Sequence, residues 1–301
     1  MNSPGNSSFL RAVLILLFAV FLFDVMGIII KQMSSGYPVQ QLSMLRNLFG
    51  LIPSIIMLTR SRTWQAAGRP WKLERWKLAL LRGAMIVGAQ FCFYLSLTRL
   101  EFATASTIGF AGPLFVTALS VPLLGNRVGF WRWMAVMGGF SGIVLVMKPG
   151  SDIFDWYALL PLLAALGYAS SSVTTRLFAA EVETPLINIY SVVSAFVLST
   201  ILTATTSGFV PIIGSDLPLL LCMGMAGGTA ALLLVTAYRM NDPGNLSPFE
   251  YFGIPFSFVL GWIVFSEAPF DRLFPGSILI VAGGLIIVWR ERVRTRSPSI
   301  A

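Results

Sequence analysis

Three charged residues lie within long apolar stretches of the sequence: Asp24, Arg46 and Glu250. A charge near the centre of a bilayer costs about 2.5–3.5 kcal/mol on insertion scales, so each needs a partner or a role. At 1.5 Å of rise per residue, Asp24 and Arg46 would lie about 9 and 10 Å below the facing ends of two helices. We predict that these two side chains form an ion pair. The pair either only fixes the helix register, or lets Arg46 share Asp24 with a substrate carboxylate or a gating step.

Glu250 lies in the stretch Ser247–Tyr251, near the start of its apolar run. The helix dipole alone accounts for a carboxylate in the first turn. The alternative is a titrating group for proton coupling, or a contact for a substrate ammonium group. Because the sequence contains no histidine, Asp24 and Glu250 are the predicted proton carriers. Lys31, about two helical turns beyond Asp24, is a second candidate partner for that carboxylate.

A second group consists of aromatic, polar and small residues near the predicted midplane. Together with Glu250, they are predicted to line a substrate cavity that presents apolar rings and a few polar groups; ordinary helix packing is the alternative for each of them. The group comprises Gln90, Tyr94, Phe110, Gly112, Tyr168, Ser171, Tyr238 and Tyr251. Residues that interrupt the helices are predicted hinges, with close helix packing as the alternative. They are Gly109, Pro113, Gly253 and Pro255.

The elements that must position these residues are long apolar runs. Only 11% of the 301 residues are charged and 56% are hydrophobic, which excludes a water-soluble enzyme and a disordered chain. A spanning helix needs about 20 apolar residues, and a single span must be helical to satisfy its backbone. We predict an all-α polytopic membrane protein with ten spans. They are Ala12–Ile30, Val39–Thr59, Leu78–Thr98, Phe102–Leu124, Val128–Met147, Trp156–Thr175, Pro185–Thr206, Leu217–Tyr238, Asn245–Ser266 and Leu273–Trp289.

The chain has 21 basic and 13 acidic residues, a net charge of +8. Basic residues flank the apolar runs instead of forming one solvated face, so no nucleic-acid partner is predicted. Most of them, Arg82 included, fall on the side of the N-terminus, which predicts a plasma (inner) membrane protein with both termini in the cytoplasm. Arg46 is the basic residue left inside a span. Without histidine and with two cysteines, no metal site, cofactor or disulfide framework is predicted.

The fourth and fifth spans match the ninth and tenth in residue class. Leu124–Asn126 aligns with Phe265–Glu267, and the match extends on both sides without a gap. A unit of five spans is odd in number, so a second copy starts from the opposite face of the membrane. This predicts two inverted five-helix repeats around a central cavity, residues 1–150 and 151–301.

At these residues the sequence resembles the drug/metabolite transporter superfamily, in its ten-helix form with two EamA-type repeats. The residues that carry the resemblance are Pro113-Leu114-Phe115, Leu124-Gly125, Gly142, Glu250-Tyr251, Gly261-Trp262, Phe265–Glu267, Val281–Leu285 and Arg46. Asn126 stands where the family usually has Glu, whereas Glu267 keeps it. The resemblance implies alternating access and a cavity among spans one, three, four, six, eight and nine. Among its branches, the chain looks most like the YddG-type amino acid exporters.

The predicted function is therefore secondary export of aromatic or other apolar amino acids. A multidrug or other small-metabolite exporter remains an alternative, and a non-transporting receptor or scaffold is the alternative from another class. The sequence has no P-loop, so ATP does not drive transport directly. Nucleotide sugars would need several basic cavity residues, and an intramembrane enzyme would need a nucleophile or metal set that the sequence lacks. The oligomeric state is left open.

Overall fold

The computed structural model describes residues 4–125, 130–148, 155–179, 181–241 and 246–282. Over these ranges, every regular element is helical. Seven helical segments are long and apolar enough to cross a membrane, and two shorter ones, Val136–Met147 and Phe249–Phe265, are also apolar. The prediction of an all-helical polytopic membrane protein is confirmed, whereas the count of ten spans stays a prediction.

The α-helices follow the predicted spans closely, with two of those spans divided in two. In chain order they are α1 (Pro4–Met33), α2 (Val39–Thr59), α3 (Arg62–Ala66), α4 (Trp76–Leu97), α5 (Phe102–Gly109), α6 (Gly112–Leu124), α7 (Phe130–Met147), α8 (Leu159–Thr174), α9 (Thr184–Leu202), α10 (Leu217–Met240), α11 (Gly253–Phe265) and α12 (Phe270–Leu273). Short 3-10 helices cover Trp156–Ala158, Thr175–Leu177 and Ser247–Phe252. Residues 276–282 are helical, and most of the predicted span Leu273–Trp289 lies outside the described residues.

The two divided spans are the fourth and the ninth. The fourth breaks between Gly109 and Gly112, where Pro113 occupies the first turn of α6 and needs no backbone donor. The ninth changes from a 3-10 helix to α11 at Gly253. The breaks face each other, because a Cβ atom on Gly253 would lie only 1.9 Å from Cζ of Phe110. Their role as hinges stays a prediction.

Helices from the two halves of the chain interleave. The first helix, α1, packs against α10 and α11, while α2 packs against α9 and α10, and α4 against α8 and α9. Helix α10 therefore lies between α1 and α2. The two helices that are neighbours in sequence are separated in space by one from the other half.

The contact between α2 and α10 is built on glycine. A Cβ atom on Gly228 would lie 2.4 Å from the carbonyl oxygen of Gly50, and one on Gly50 would lie 3.3 Å from that of Gly224. Small residues allow two membrane helices to approach until their backbones touch. This contact brings the middle of α10 close to Arg46.

We expect Gly228→Ala to destabilise the protein, because its methyl group meets backbone that cannot move aside. Overpacking of this kind costs about 1–3 kcal/mol. Thermal unfolding in detergent should show a lower melting temperature. The matched control is Gly88→Ala on α4, where a Cβ atom would meet nothing within 4 Å. Equal melting temperatures for the two variants would contradict the close contact.

Polar contacts close one end of the bundle, here called the Lys31 end. The Lys31 ammonium group, at the end of α1, lies 2.5 Å from the Glu267 carboxylate and donates to the Leu100 carbonyl at 3.0 Å. Glu267, which follows α11, accepts a second hydrogen bond from the backbone N–H of Phe102 at 2.8 Å. These contacts join the ends of α1 and α11 to the start of α5.

Candidate functional site

Arg46 is buried in α2, with 5% of its surface exposed. Its guanidinium group donates to Oδ1 of Asn47 at 3.0 Å and to the carbonyl of Gly227 on α10 at 2.9 Å. Nε has no hydrogen-bond partner. Two of its nitrogen atoms therefore anchor the group, and the N–H of the third nitrogen, Nε, has no acceptor among the residues that the structure describes.

A buried amide network holds Asn47. The side chains of Asn47 and Gln90 form two hydrogen bonds with each other, at 2.9 and 3.1 Å. The hydroxyl of Ser43 donates to the same Gln90 oxygen at 2.6 Å. The structure thus places Gln90, a predicted substrate contact, in a network that reaches Arg46 through Asn47. Sequence reasoning missed Ser43 and Asn47, although both are polar residues in an apolar run, within one turn of Arg46.

Two predicted cavity tyrosines lie on neighbouring helices. Tyr94 lies one turn beyond Gln90 on α4, is fully buried and has an unpartnered hydroxyl. Tyr168 lies on α8, which packs against α4. Gln90 and Tyr94 therefore share one helix, and Tyr168 lies on a helix beside it.

The predicted ion pair between Asp24 and Arg46 is not formed. A Cβ atom on Gly227 would lie 2.4 Å from Sδ of Met26 and 2.8 Å from Nε of Arg46, so Met26 is the α1 side chain beside Arg46. Residues two apart point about 200° from each other around a helix. Asp24 consequently lies on the far side of α1. Lys31, the second candidate partner, pairs with Glu267 instead.

Glu250 and Tyr251 lie on the 3-10 helix Ser247–Phe252, which packs against α1 and α6. Tyr251 is buried with an unpartnered hydroxyl, and Glu250 is half-buried. Phe110 packs nearby on Gly253. A Cβ atom on Gly112 would meet nothing within 4 Å, whereas one on Gly109 would lie 3.3 Å from the Phe93 ring.

Tyr238 lies apart from this region. It packs near the end of α10 against a small cluster formed with Ala12, Val13 and Leu16, in the first part of α1. Its hydroxyl is buried without a partner. The structure therefore does not bring Tyr238 to Arg46.

A second buried arginine corrects the assignment of Arg82 to the flanking basic residues. Arg82 is 4% exposed, and it donates to the carbonyl of Ser171 and to the hydroxyl of Ser191, both at 3.0 Å. Its guanidinium group also lies over the Phe178 ring. Ser171, a predicted cavity residue, therefore contributes its backbone carbonyl to the Arg82 contact between α4, α8 and α9.

Several buried polar side-chain atoms in the helix bundle have no hydrogen-bond partner. Among the described residues, the buried side-chain atoms without a hydrogen bond belong to Asp24, Arg46, Tyr94, Ser106, Thr107, Tyr238 and Tyr251. Leaving such a group unsatisfied costs about 1–3 kcal/mol, and native proteins contain few of them. Apart from Tyr238, these residues lie on α1, α2, α4, α5 and the 3-10 helix Ser247–Phe252. The pattern is that of a site that takes a polar ligand.

A separate cavity of about 480 Å³ lies between α11, α12 and residues 276–282. It is lined almost entirely by apolar side chains such as Ile254, Phe258 and Ile278, with Ser277 as its polar residue. It lacks the donors and acceptors that a polar ligand requires. The buried polar network around Arg46 is therefore the candidate substrate site.

The fold and the site define a polytopic helical membrane protein with a buried polar site among its helices. Residues 10–148 match the model of the EamA-like transporter family, so this part of the chain is similar to that family. The members of this family are transporters and not enzymes. The match supports the prediction that the chain is a transporter and not an enzyme.

The chain is similar to transporters with different named substrates. It is 33% identical to a riboflavin transporter of Rhizobium johnstonii over 62% of each chain, less than two thirds of that relative's length. It is 26% identical to an S-adenosylmethionine uptake transporter of Rickettsia felis, over 73% of this chain and 74% of that one. It is 28% identical to a pseudopaline exporter of Pseudomonas aeruginosa, over 92% and 93%. These names support a small metabolite and not specifically an amino acid.

One solved crystal structure covers almost the whole length. It aligns with a TM-score of 0.69 over 95% of this chain and 99% of that chain, at 20% identity. At this identity the likeness concerns the fold alone.

Proposed function

We propose that the chain is a secondary transporter for a small organic metabolite that carries an anionic group and a planar ring. The observation that supports this most directly is the free Nε donor of Arg46, whose guanidinium group Asn47 and Gly227 hold on α2, a helix that packs against the one carrying Tyr94. A guanidinium group is suited to carboxylates, and aromatic side chains suit planar rings. Aromatic amino acids fit this description and form the narrower proposal.

The transport mechanism belongs to the same proposal. Two inverted five-helix halves, residues 1–150 and 151–301, would alternate around the buried site. The breaks at Gly109 and Gly253 would act as hinges, since they interrupt helices that meet at Phe110. The chain would lie in the inner membrane with both termini in the cytoplasm, and transport would be export. The interleaving of helices from both halves supports a site shared between them.

Flux into liposomes tests the function. Purified full-length protein is reconstituted and offered labelled aromatic amino acids, riboflavin, S-adenosylmethionine and a cationic dye. We expect saturable flux for at least one of the first three. Flux for the dye alone would favour a multidrug exporter, and ligand binding without any flux would favour a receptor. Either result would contradict the proposal.

The role of Arg46 is tested with Arg46→Met. Losing a hydrogen bond to a charged group costs about 1.5–3 kcal/mol, so flux of the substrate should fall by about 10- to 150-fold. Arg46→Lys keeps the charge but not the fork of donors, and an intermediate loss is expected. The control is Arg60→Met at the exposed end of α2. Wild-type flux in Arg46→Met would exclude the assigned contact.

A further inference from the structure

Asp24 lies on a different face of α1 from the one that meets Arg46. Gly27, one turn along the helix, shares the face of Asp24. A Cβ atom on Gly27 would lie 2.7 Å from the ring of Phe102, at the start of α5. Phe21, one turn before Asp24, packs against the Phe256 ring of α11 with 6.0 Å between the ring centroids. Asp24 therefore lies on the side of α1 that meets α5 and α11, whereas Met26 faces α10 and Arg46.

The helix register places a hydroxyl at the level of Asp24. Helix α1 ends and α5 begins at the Lys31 end, so the two helices run antiparallel. One turn away from the Gly27–Phe102 contact, α1 reaches Asp24 and α5 reaches Ser106. Asp24 is 5% exposed and Ser106 4% exposed, and neither Oδ2 nor Oγ has a hydrogen-bond partner. The next residue, Thr107, has an unpartnered hydroxyl as well.

No described cationic side chain neutralises this carboxylate. Lys31, on the same face about two turns away, is engaged by Glu267. Neither α5 nor α11 carries a titratable side chain. The remaining titratable groups on helices packed against α1 form no salt bridge with Asp24 in the described part of the chain. They are Arg46 on α2, Lys77, Arg82, Cys92 and Tyr94 on α4, Cys222, Tyr238 and Arg239 on α10, and Glu250 and Tyr251 on the 3-10 helix.

The unpartnered atoms beside Asp24 are all oxygen atoms, those of its own carboxylate and of the Ser106 and Thr107 hydroxyl groups. A carboxylate and hydroxyl groups suit hard cations and protons, and not anions or soft metals. A buried carboxylate without a counter-charge is costly. We propose that Asp24 and Ser106 form a site for a monovalent cation, a sodium ion or a proton, separate from the Arg46 site, and that this cation drives transport.

The location of the site gives the coupling a route. Asp24, Gly27 and Lys31 follow one another along one face of α1, and this face meets α5. A cation between Asp24 and Ser106 draws α1 and α5 together one turn below the contacts that close the Lys31 end. Occupancy therefore stabilises the conformation closed at that end. This coupling rests on the proposed transport function, whereas binding of the cation does not.

The coupling is tested with the full chain in liposomes, using the substrate found by flux. A sodium gradient at constant pH and a pH gradient at constant sodium are applied separately. We expect one gradient to drive accumulation in the wild type by about tenfold, the effect of 1.4 kcal/mol. Asp24→Asn should lose this accumulation but keep exchange of internal for external substrate. Asp155→Asn, which keeps a side-chain oxygen for the cap at Tyr157, should accumulate normally.

Three results would overturn the coupling proposal. They are exchange without accumulation in the wild type under either gradient, normal accumulation by Asp24→Asn, and loss of substrate exchange in folded Asp24→Asn. The last would place Asp24 in the substrate site. If wild-type protein moves no substrate at all, the proposed function fails.

If the wild-type protein moves no substrate, the melting temperature in detergent still tests whether the cation site exists. Wild type is compared in sodium chloride and choline chloride at one pH, and across pH at fixed salt. A response that Ser106→Ala weakens and Asp24→Asn removes supports the site. Identical responses in all three proteins overturn it.

Discussion

Replacing Glu267 by glutamine is expected to open the Lys31 end of the bundle. The carboxylate joins Lys31 on α1 to the start of α5, and the two charged side chains are only 15% and 22% exposed. A hydrogen bond to a charged group contributes about 1.5–3 kcal/mol. The open population should therefore rise by about tenfold or more.

Cysteine labelling measures this opening. Ala105→Cys, at a fully buried position on α5, is introduced after Cys92 and Cys222 have been replaced by serine. A membrane-impermeant maleimide applied from the Lys31 end should react about tenfold faster when Glu267→Gln is present, in proportion to the open population. Glu183→Gln, which alters a carboxylate bonded to Ser61, serves as the control and should leave the rate unchanged.

A charge swap separates the two roles of Glu267. In Lys31→Glu combined with Glu267→Lys, the ion pair is restored but the lysine cannot accept the N–H of Phe102. Labelling should therefore be slower than in Glu267→Gln but faster than in the parent. A rate in Glu267→Gln equal to that of the parent would show that this contact does not hold the end closed.

Replacing Gln90 by leucine is expected to weaken substrate binding more than turnover. The substitution removes the acceptor for Ser43 and both partners of the Asn47 amide. Asn47 then no longer holds the Arg46 guanidinium in one orientation. If Arg46 loses its hydrogen bond to the substrate, worth about 1.5–3 kcal/mol, KM should rise by roughly 10- to 150-fold with a smaller change in kcat.

Gln40→Leu is the matched control for this prediction. Gln40 also lies on α2, but it is not buried and its bond to Thr206 is long, at 3.3 Å. Its KM should stay at the wild-type value. If Gln90→Leu melts at a normal temperature and keeps the wild-type KM, then Gln90 does not position Arg46.

The sequence predicted how deep a residue lies along its helix better than which helix its side chain faces. The bounds of α2 agree with the predicted Val39–Thr59. Pro38 precedes this continuous apolar run and a basic loop follows it, so both ends are marked in the sequence. Rise along a helix also places Asp24 and Arg46 at comparable depth. It does not say which helix stands beside which, and α10 separates the two residues. Chain neighbours therefore gave the wrong ion pair.

Arg82 shows a second limit. A basic residue near the end of an apolar run is normally counted as a flank, because a long side chain reaches the interface. Here the Ser171 carbonyl and the Ser191 hydroxyl satisfy the guanidinium inside the bundle. Those partners lie about 90 to 110 residues further along the chain, beyond the reach of any local pattern. Gln90 is similar: its role as a substrate contact stays a prediction, and its partner Asn47 was not predicted.

The position of α10 between α1 and α2 has a consequence for how the protein is made. Gly227 follows Arg46 by 181 residues. At about 5–20 residues per second, a ribosome needs roughly 10 to 40 seconds to reach it. During that time Arg46 is in the translocon or the bilayer with only its own helix and early neighbours to satisfy it. Asn47, adjacent in sequence, is the one of its two described hydrogen-bond partners that is synthesised together with Arg46.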